Sequence, residues 1–179
     1  MTIKMNLNRG INATHQPQTD KVSWKRLVCI NQASLKSIFI TWLALQSRIV
    51  TKDRLIQWNI NCDPLCFFCQ KFDESVAHLF FSYSYSREIW QKILGLLKIQ
   101  KIVQSFDLEQ QWATRYCRKS SRKCRLYFKF FVETVHNIWF QRNNLIFNGS
   151  CQPADLVFKD IDYRVVVRCT ESDRKFLYL

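Results

Sequence analysis

Glycine and proline are scarce in this chain of 179 residues, with three of each. So few glycines nearly exclude the Gly-rich loops that cradle phosphates. With 47% hydrophobic and 15% aromatic residues, disorder is not expected beyond the first twenty or so positions. Long apolar runs are missing too. The most apolar windows, Ile38 to Leu45 and Leu126 to Phe140, are interrupted or far short of the ~20 residues that span a bilayer. The opening residues carry no apolar core of a secretory signal. The expected location is therefore intracellular, nuclear or cytoplasmic, and the eight cysteines read as thiols, not disulfides. No paired-Asp polymerase motif and no set of carboxylates spaced for a two-metal nuclease is present. An enzyme is not expected.

Acidic residues are the remaining shortage. There are 14 against 27 lysines and arginines, a formal charge of +13. That imbalance points to a polyanionic partner such as RNA or DNA, or to an acidic neighbour outside this chain. A merely basic domain is the competing reading, because charge speaks to association and not to fold.

What is present reads as helices. Residues 1–21 lack periodicity and form a leader, and Trp24 and Leu27 begin the ordered part. Leu35, Ile38, Phe39, Trp42 and Leu45 recur at helical spacing behind a Ser34 cap. Thr51 offers a second cap, with Leu55 and Trp58 on the buried side of a short helix. Cys62 to Phe72 is a loop, since Asp63 precedes a proline. Asp73 and Glu74 then open a helix through Phe81 that carries His78, placed where the macrodipole favours acids. Ser84 or Ser86 caps the next helix, whose stripe is Ile89, Trp90, Ile93, Leu94 and Leu97.

After a connector, the longest periodic run extends from Leu108 to about Asn143. Cys117, Cys124, Phe128, Phe131, Val135 and Ile138 lie within roughly 40° of one direction. Arg115, Arg118, Lys119, Arg122, Arg125 and Lys129 fall almost opposite, a candidate surface for a phosphate backbone. Tyr116 and Tyr127 are placed to stack on bases, and the competing reading is a solvated helix face. Pro153 fits the first turn of a last helix, with Leu156, Val157, Ile161, Val165 and Cys169 as contacts. Trp42, Trp58, Trp90 and Trp139 read as core. The fold class is all-α: a small helical domain (22–97) around a knuckle-like loop, a connector with a long basic amphipathic helix (98–150), and a C-terminal helix and tail (151–179).

The chemistry concentrates in Cys66-Phe-Phe-Cys69 and His78. A Cys-x2-Cys pair places two thiolates on one turn, and a His on the next element faces them, which is zinc-ligand spacing. Cys62, four residues before Cys66, is the candidate substitute for a further ligand.

Several segments in order resemble a known family. They are Ser23-Trp24-Lys25-Arg26-Leu27, Phe39 with Trp42-Leu43, Ile49-Val50-Thr51-Lys52-Asp53-Arg54-Leu55, Asp63 to Cys69, Asp73 to Phe81, and Arg87-Glu88-Ile89-Trp90. Together they resemble the zinc-binding domain downstream of reverse transcriptase in plant non-LTR (LINE-type) retrotransposon polyproteins. His136 to Phe147 is similar to the segment that follows that domain, ahead of ribonuclease H. The resemblance implies zinc held by Cys66, Cys69, His78 and position 83, where this chain has Tyr83. It also implies reverse transcriptase or ribonuclease H segments as partners within a parent polyprotein. A non-catalytic nucleic-acid-binding module is the resulting expectation. The alternative is a truncated retroelement remnant or protein-interaction domain that binds neither metal nor nucleic acid.

Overall fold

A computed structural model of the chain describes residues 25–29, 33–116 and 121–178. The leader, Trp24, Cys117, Arg118 and Lys119 lie outside these. Among the described residues the fold is all-α, as expected, and no strand forms. Its helices are α1 (Lys25–Cys29), α2 (Leu35–Leu45), α3 (Lys52–Gln57), α4 (Ser84–Leu96), α5 (Phe106–Tyr116), α6 (Arg122–Asn148), α7 (Ala154–Val166) and α8 (Glu171–Tyr178). No described helix is long and apolar enough to cross a membrane.

The long periodic run is two helices, not one. α5 ends at Tyr116, and Ser121 starts α6 afresh, its hydroxyl accepting the Cys124 amide at 3.2 Å. α6 runs 27 residues, about 40 Å, and stops at Gly149, whose φ of 68° needs no Cβ. Every residue from Leu126 to Ile138 is buried. A helix enclosed on all sides is a central column, not an amphipathic surface rod. Two of its buried charges are partnered: the Lys129 ammonium caps the Arg168 carbonyl (3.1 Å), and Glu133 accepts from Ser34 N and Ser37 Oγ.

α2 turns a different face inward from the one its apolar spacing predicts. Leu35 and Phe39 are 86% and 54% exposed, while Ser37, Thr41 and Ala44 are buried against α6. Small side chains let the two backbones approach, and Thr41 donates to the Val132 carbonyl. Trp58, another expected core residue, is half exposed beneath the Arg54 guanidinium. Trp90 is the centre instead. It is wholly buried, with Phe81, Tyr127 and Phe131 ring centroids at 5.2, 5.3 and 5.6 Å. Its indole N–H donates to Glu109 at 3.0 Å, which joins α4 to α5. One apolar cluster takes in residues from Leu27 to Leu177.

No helix runs from Asp73 through Phe81. Phe80 is extended and Phe81 takes a left-handed φ of 70°, unusual for a bulky residue. Such a conformation costs of order 1–3 kcal/mol. It is held because both rings are fully buried and because the Phe81 amide donates to Ser86 Oγ at 3.0 Å. The resulting kinked turn, His78–Ser82, delivers residue 83 to the flank of the knuckle.

Candidate metal centre

The knuckle is a short closed loop. Cys66 N donates to the Phe72 carbonyl at 2.8 Å and Glu74 N to the Pro64 carbonyl at 2.9 Å, bridging Leu65 to Asp73. Gln70, at φ 53°, closes the tip by donating to the Cys66 carbonyl. Lys52 reaches in from α3, its ammonium on the Leu65 carbonyl and 3.8 Å from the Phe67 ring centroid. These constraints leave Cys66 buried and Cys69 half-buried, both turned toward His78.

The sulfurs of Cys66 and Cys69 and a ring nitrogen of His78 all lie within 4.8 Å of one another. Cys69 Sγ and His78 Nε2 are 3.3 Å apart. With Zn–S bonds of about 2.3 Å and Zn–N of about 2.0–2.1 Å at tetrahedral angles, donor atoms stand about 3.5–3.8 Å apart. The three donors fit zinc with small adjustments. The surroundings act on the three groups in different senses. Burial pushes the Cys66 thiol up. At Cys69 burial also raises, but the Lys71 and Phe72 amides and the Cys66 thiol outweigh it and hold the group below its ordinary value. Burial lowers His78 against the opposing charge of Glu74, leaving a neutral imidazole, the form that ligates.

The fourth position is another matter. The Tyr83 ring stacks on Phe68 at 5.5 Å, and its hydroxyl donates to the Phe68 carbonyl at 3.2 Å. Burial, then the neighbouring cysteine charges, raise its pKa against a hydrogen bond from Ser84, so it stays a neutral phenol. Cys62 is not brought to the cluster: its sulfur leans on the Lys52 carbonyl at 4.0 Å.

Sequence reasoning missed what anchors this loop. Glu74 does not sit at the start of its own helix. It is fully buried, and its Oε1 accepts the Lys52 amide at 3.1 Å, capping α3 from 22 residues away. Arg142 of α6 grips the same carboxylate, NH2 to Oε1 at 2.6 Å and Nε to Oε2 at 3.3 Å. The guanidinium lies between the Phe67 and Trp139 rings. The only signal was an arginine three residues beyond Trp139 on an apolar helix, which does not name its partner.

The predicted basic row is divided. Arg115 is exposed at the end of α5, and Arg118 and Lys119 are outside the described residues. Arg122 and Arg125, about half exposed, lie 3.7 and 4.0 Å from Asp173 of α8. Lys129 faces inward, 4% exposed, because α7 and α8 cover that side of the column. Tyr127 belongs to the core, and Tyr116 stacks on Trp112 at 4.3 Å.

Residues 9–90 match the family described as zinc-binding in reverse transcriptase. That segment is similar to the family. The match contains all three clustered donors and ends at Trp90, the core residue of α4. No curated protein and no solved structure matches the chain.

A pH dependence follows from the histidines. His136 is buried with its Nδ1 unpartnered, and burial, opposed by Glu133, pushes its pKa below 6.5. An unfolded chain therefore takes up the proton first as pH falls, so stability is full above about 6.5 and declines below it. The urea midpoint is expected to be lower at pH 5.5 than at 7.5, with a smaller drop in His136→Gln. An identical drop in both proteins rules this residue out.

Proposed function

We propose that this chain is a non-catalytic accessory module of a plant LINE-type retrotransposon polyprotein, holding zinc at Cys66, Cys69 and His78 and RNA or DNA at a basic corner. The family that residues 9–90 match is a zinc-binding one. The nucleic-acid part is carried by one observation. Around the α5–α6 junction, Lys98, Arg115, Arg122, Lys123 and Arg125 are exposed or half-buried, and Asp173 is the acid paired with this group. Lys123 also donates to the Lys98 carbonyl at 2.8 Å, which ties the two sides of the corner together. Arg118 and Lys119 belong to the same stretch of sequence.

Binding of this kind releases counterions, so log K falls with log salt by about 0.7 per contact on single strands and 0.9 on duplex. Replacing Arg115, Arg118, Lys119, Arg122 and Arg125 by glutamine is expected to flatten that slope by about 3.5–4.5. Lys129→Met, by contrast, leaves the slope alone and lowers stability, because that ammonium is already spent on a carbonyl. Equal slopes for wild type and the five-fold variant would refute the reading.

A second reading, a folded remnant or protein-interaction domain without metal, is favoured by one feature. Tyr83 closes the knuckle with its own ring and hydrogen bond where a ligand is expected. On that reading, chelator treatment leaves the thermal transition unchanged. On the zinc reading, the transition falls and returns on adding zinc.

A further inference from the structure

The knuckle offers a metal three donors and no more. Both Glu74 oxygens are taken, by Lys52 N and by Arg142. Cys62 points to the Lys52 carbonyl and the Tyr83 hydroxyl to the Phe68 carbonyl. Among the described residues, no further His, Cys, Asp or Glu joins the cluster of Cys66, Cys69 and His78.

Zinc in a structural site takes four ligands, almost always in a tetrahedron, so here it must recruit water in place of a thiolate. A soft, monovalent ion is under no such demand. Cu(I) is selected by thiolates and, having a closed d shell and a single charge, is content with two or three ligands. We propose that the exchange of a ligand for Tyr83 has turned this knuckle into a three-coordinate, two-sulfur, one-nitrogen site whose selectivity is shifted from Zn(II) toward Cu(I). The inference rests on the metal-site reading above and deepens it. The separation limit of 4.8 Å accommodates a trigonal as well as a tetrahedral ion, so ligand count and not spacing sets the preference.

The test uses the reduced, metal-free full chain. Zn(II) affinity is measured by competition with a chromophoric chelator, and Cu(I) affinity anaerobically against bicinchoninate. Tyr83→Cys supplies the absent thiolate. It is expected to raise zinc affinity on the order of a hundred-fold and to change Cu(I) affinity by less than about threefold. Tyr83→Ser, which removes the phenol and adds no sulfur, is expected to leave the ratio of the two affinities as in wild type. X-ray absorption of the wild-type Cu(I) form is expected to show two sulfurs and one nitrogen, and this reading stands even if Tyr83→Cys misfolds.

Each other result overturns the proposal. If wild type and Tyr83→Cys hold zinc equally tightly, the metal site stands and the selectivity shift falls. Cu(I) retained undiminished by Cys66→Ser/Cys69→Ser sits on other thiols, and the proposal falls again. If wild type holds neither ion, the metal reading itself is lost and the inference with it.

Discussion

Arg142→Ala is expected to lower the stability of the full chain by about 3–5 kcal/mol, measured as a drop in the urea midpoint at constant slope. Glu74 is entirely buried and the Arg142 side chain is 7% exposed. A carboxylate in that setting tolerates its charge only while its cation is present. Once the guanidinium is gone, Glu74 keeps the Lys52 amide and little else. It must then stay charged in a poor environment or take up a proton. Arg142→Lys is expected to rescue little, because an ammonium reproduces neither the two-pronged grip nor the stacking between Phe67 and Trp139. The double variant Glu74→Gln/Arg142→Met is expected to be more stable than Arg142→Ala alone, since it leaves no orphaned charge. The same substitution should loosen the knuckle, so Cys66 should react faster with an alkylating reagent. A loss below about 1 kcal/mol, typical of exposed pairs, is the outcome that contradicts a buried tie.

A chain ending at Leu97 is expected to lose cooperative folding altogether. The cut retains the whole matched segment, residues 9–90, and removes Phe106, Tyr127 and Phe131, three rings packed on Phe81 or Trp90. It also removes Glu109, the acceptor of the Trp90 indole, and Arg142, the partner of Glu74. What is left is short of a core and carries a buried acid with no cation. Calorimetry and near-UV circular dichroism should show no sharp transition and no fixed aromatic signal. A sigmoidal transition in this fragment would mean that the knuckle segment stands alone. Restoring α5 to α8 should bring the transition back.

Much of the candidate site was legible before any coordinates. Cys66, Cys69 and His78 were readable because a Cys-x2-Cys turn is local: its geometry is set within four residues, and His78 follows on the next element. α4 was similarly transparent, since Ile89, Trp90, Ile93 and Leu94 repeat at helical spacing and all turn inward. α2 shows where this logic ends. Its bulky stripe predicts the core-facing side, yet the core accepts Ser37, Thr41 and Ala44, because the neighbouring α6 backbone comes too near for larger groups. Periodicity states that a helix has two faces, not which of them another helix will need.

The basic row shows the same limit. Arg122, Arg125 and Lys129 share a direction on an isolated helix, but α7 and α8 fold over that direction. They bring a carbonyl to Lys129 and Asp173 to the two arginines. Nothing within the 15 residues from 115 to 129 encodes that arrival.

By itself the sequence determined the helical class and the three candidate metal donors, since these rest on residue type and short-range spacing. Only the tertiary structure decided which charges are spent internally, that Glu74 and Arg142 tie the knuckle to the central helix, and that Tyr83 packs its ring on Phe68 at the knuckle's flank. Each of those depends on pairs that are far apart in the chain, Glu74 and Arg142 by 68 positions. Burial makes such contacts energetically decisive, and burial is a property of the assembled fold and not of any local stretch.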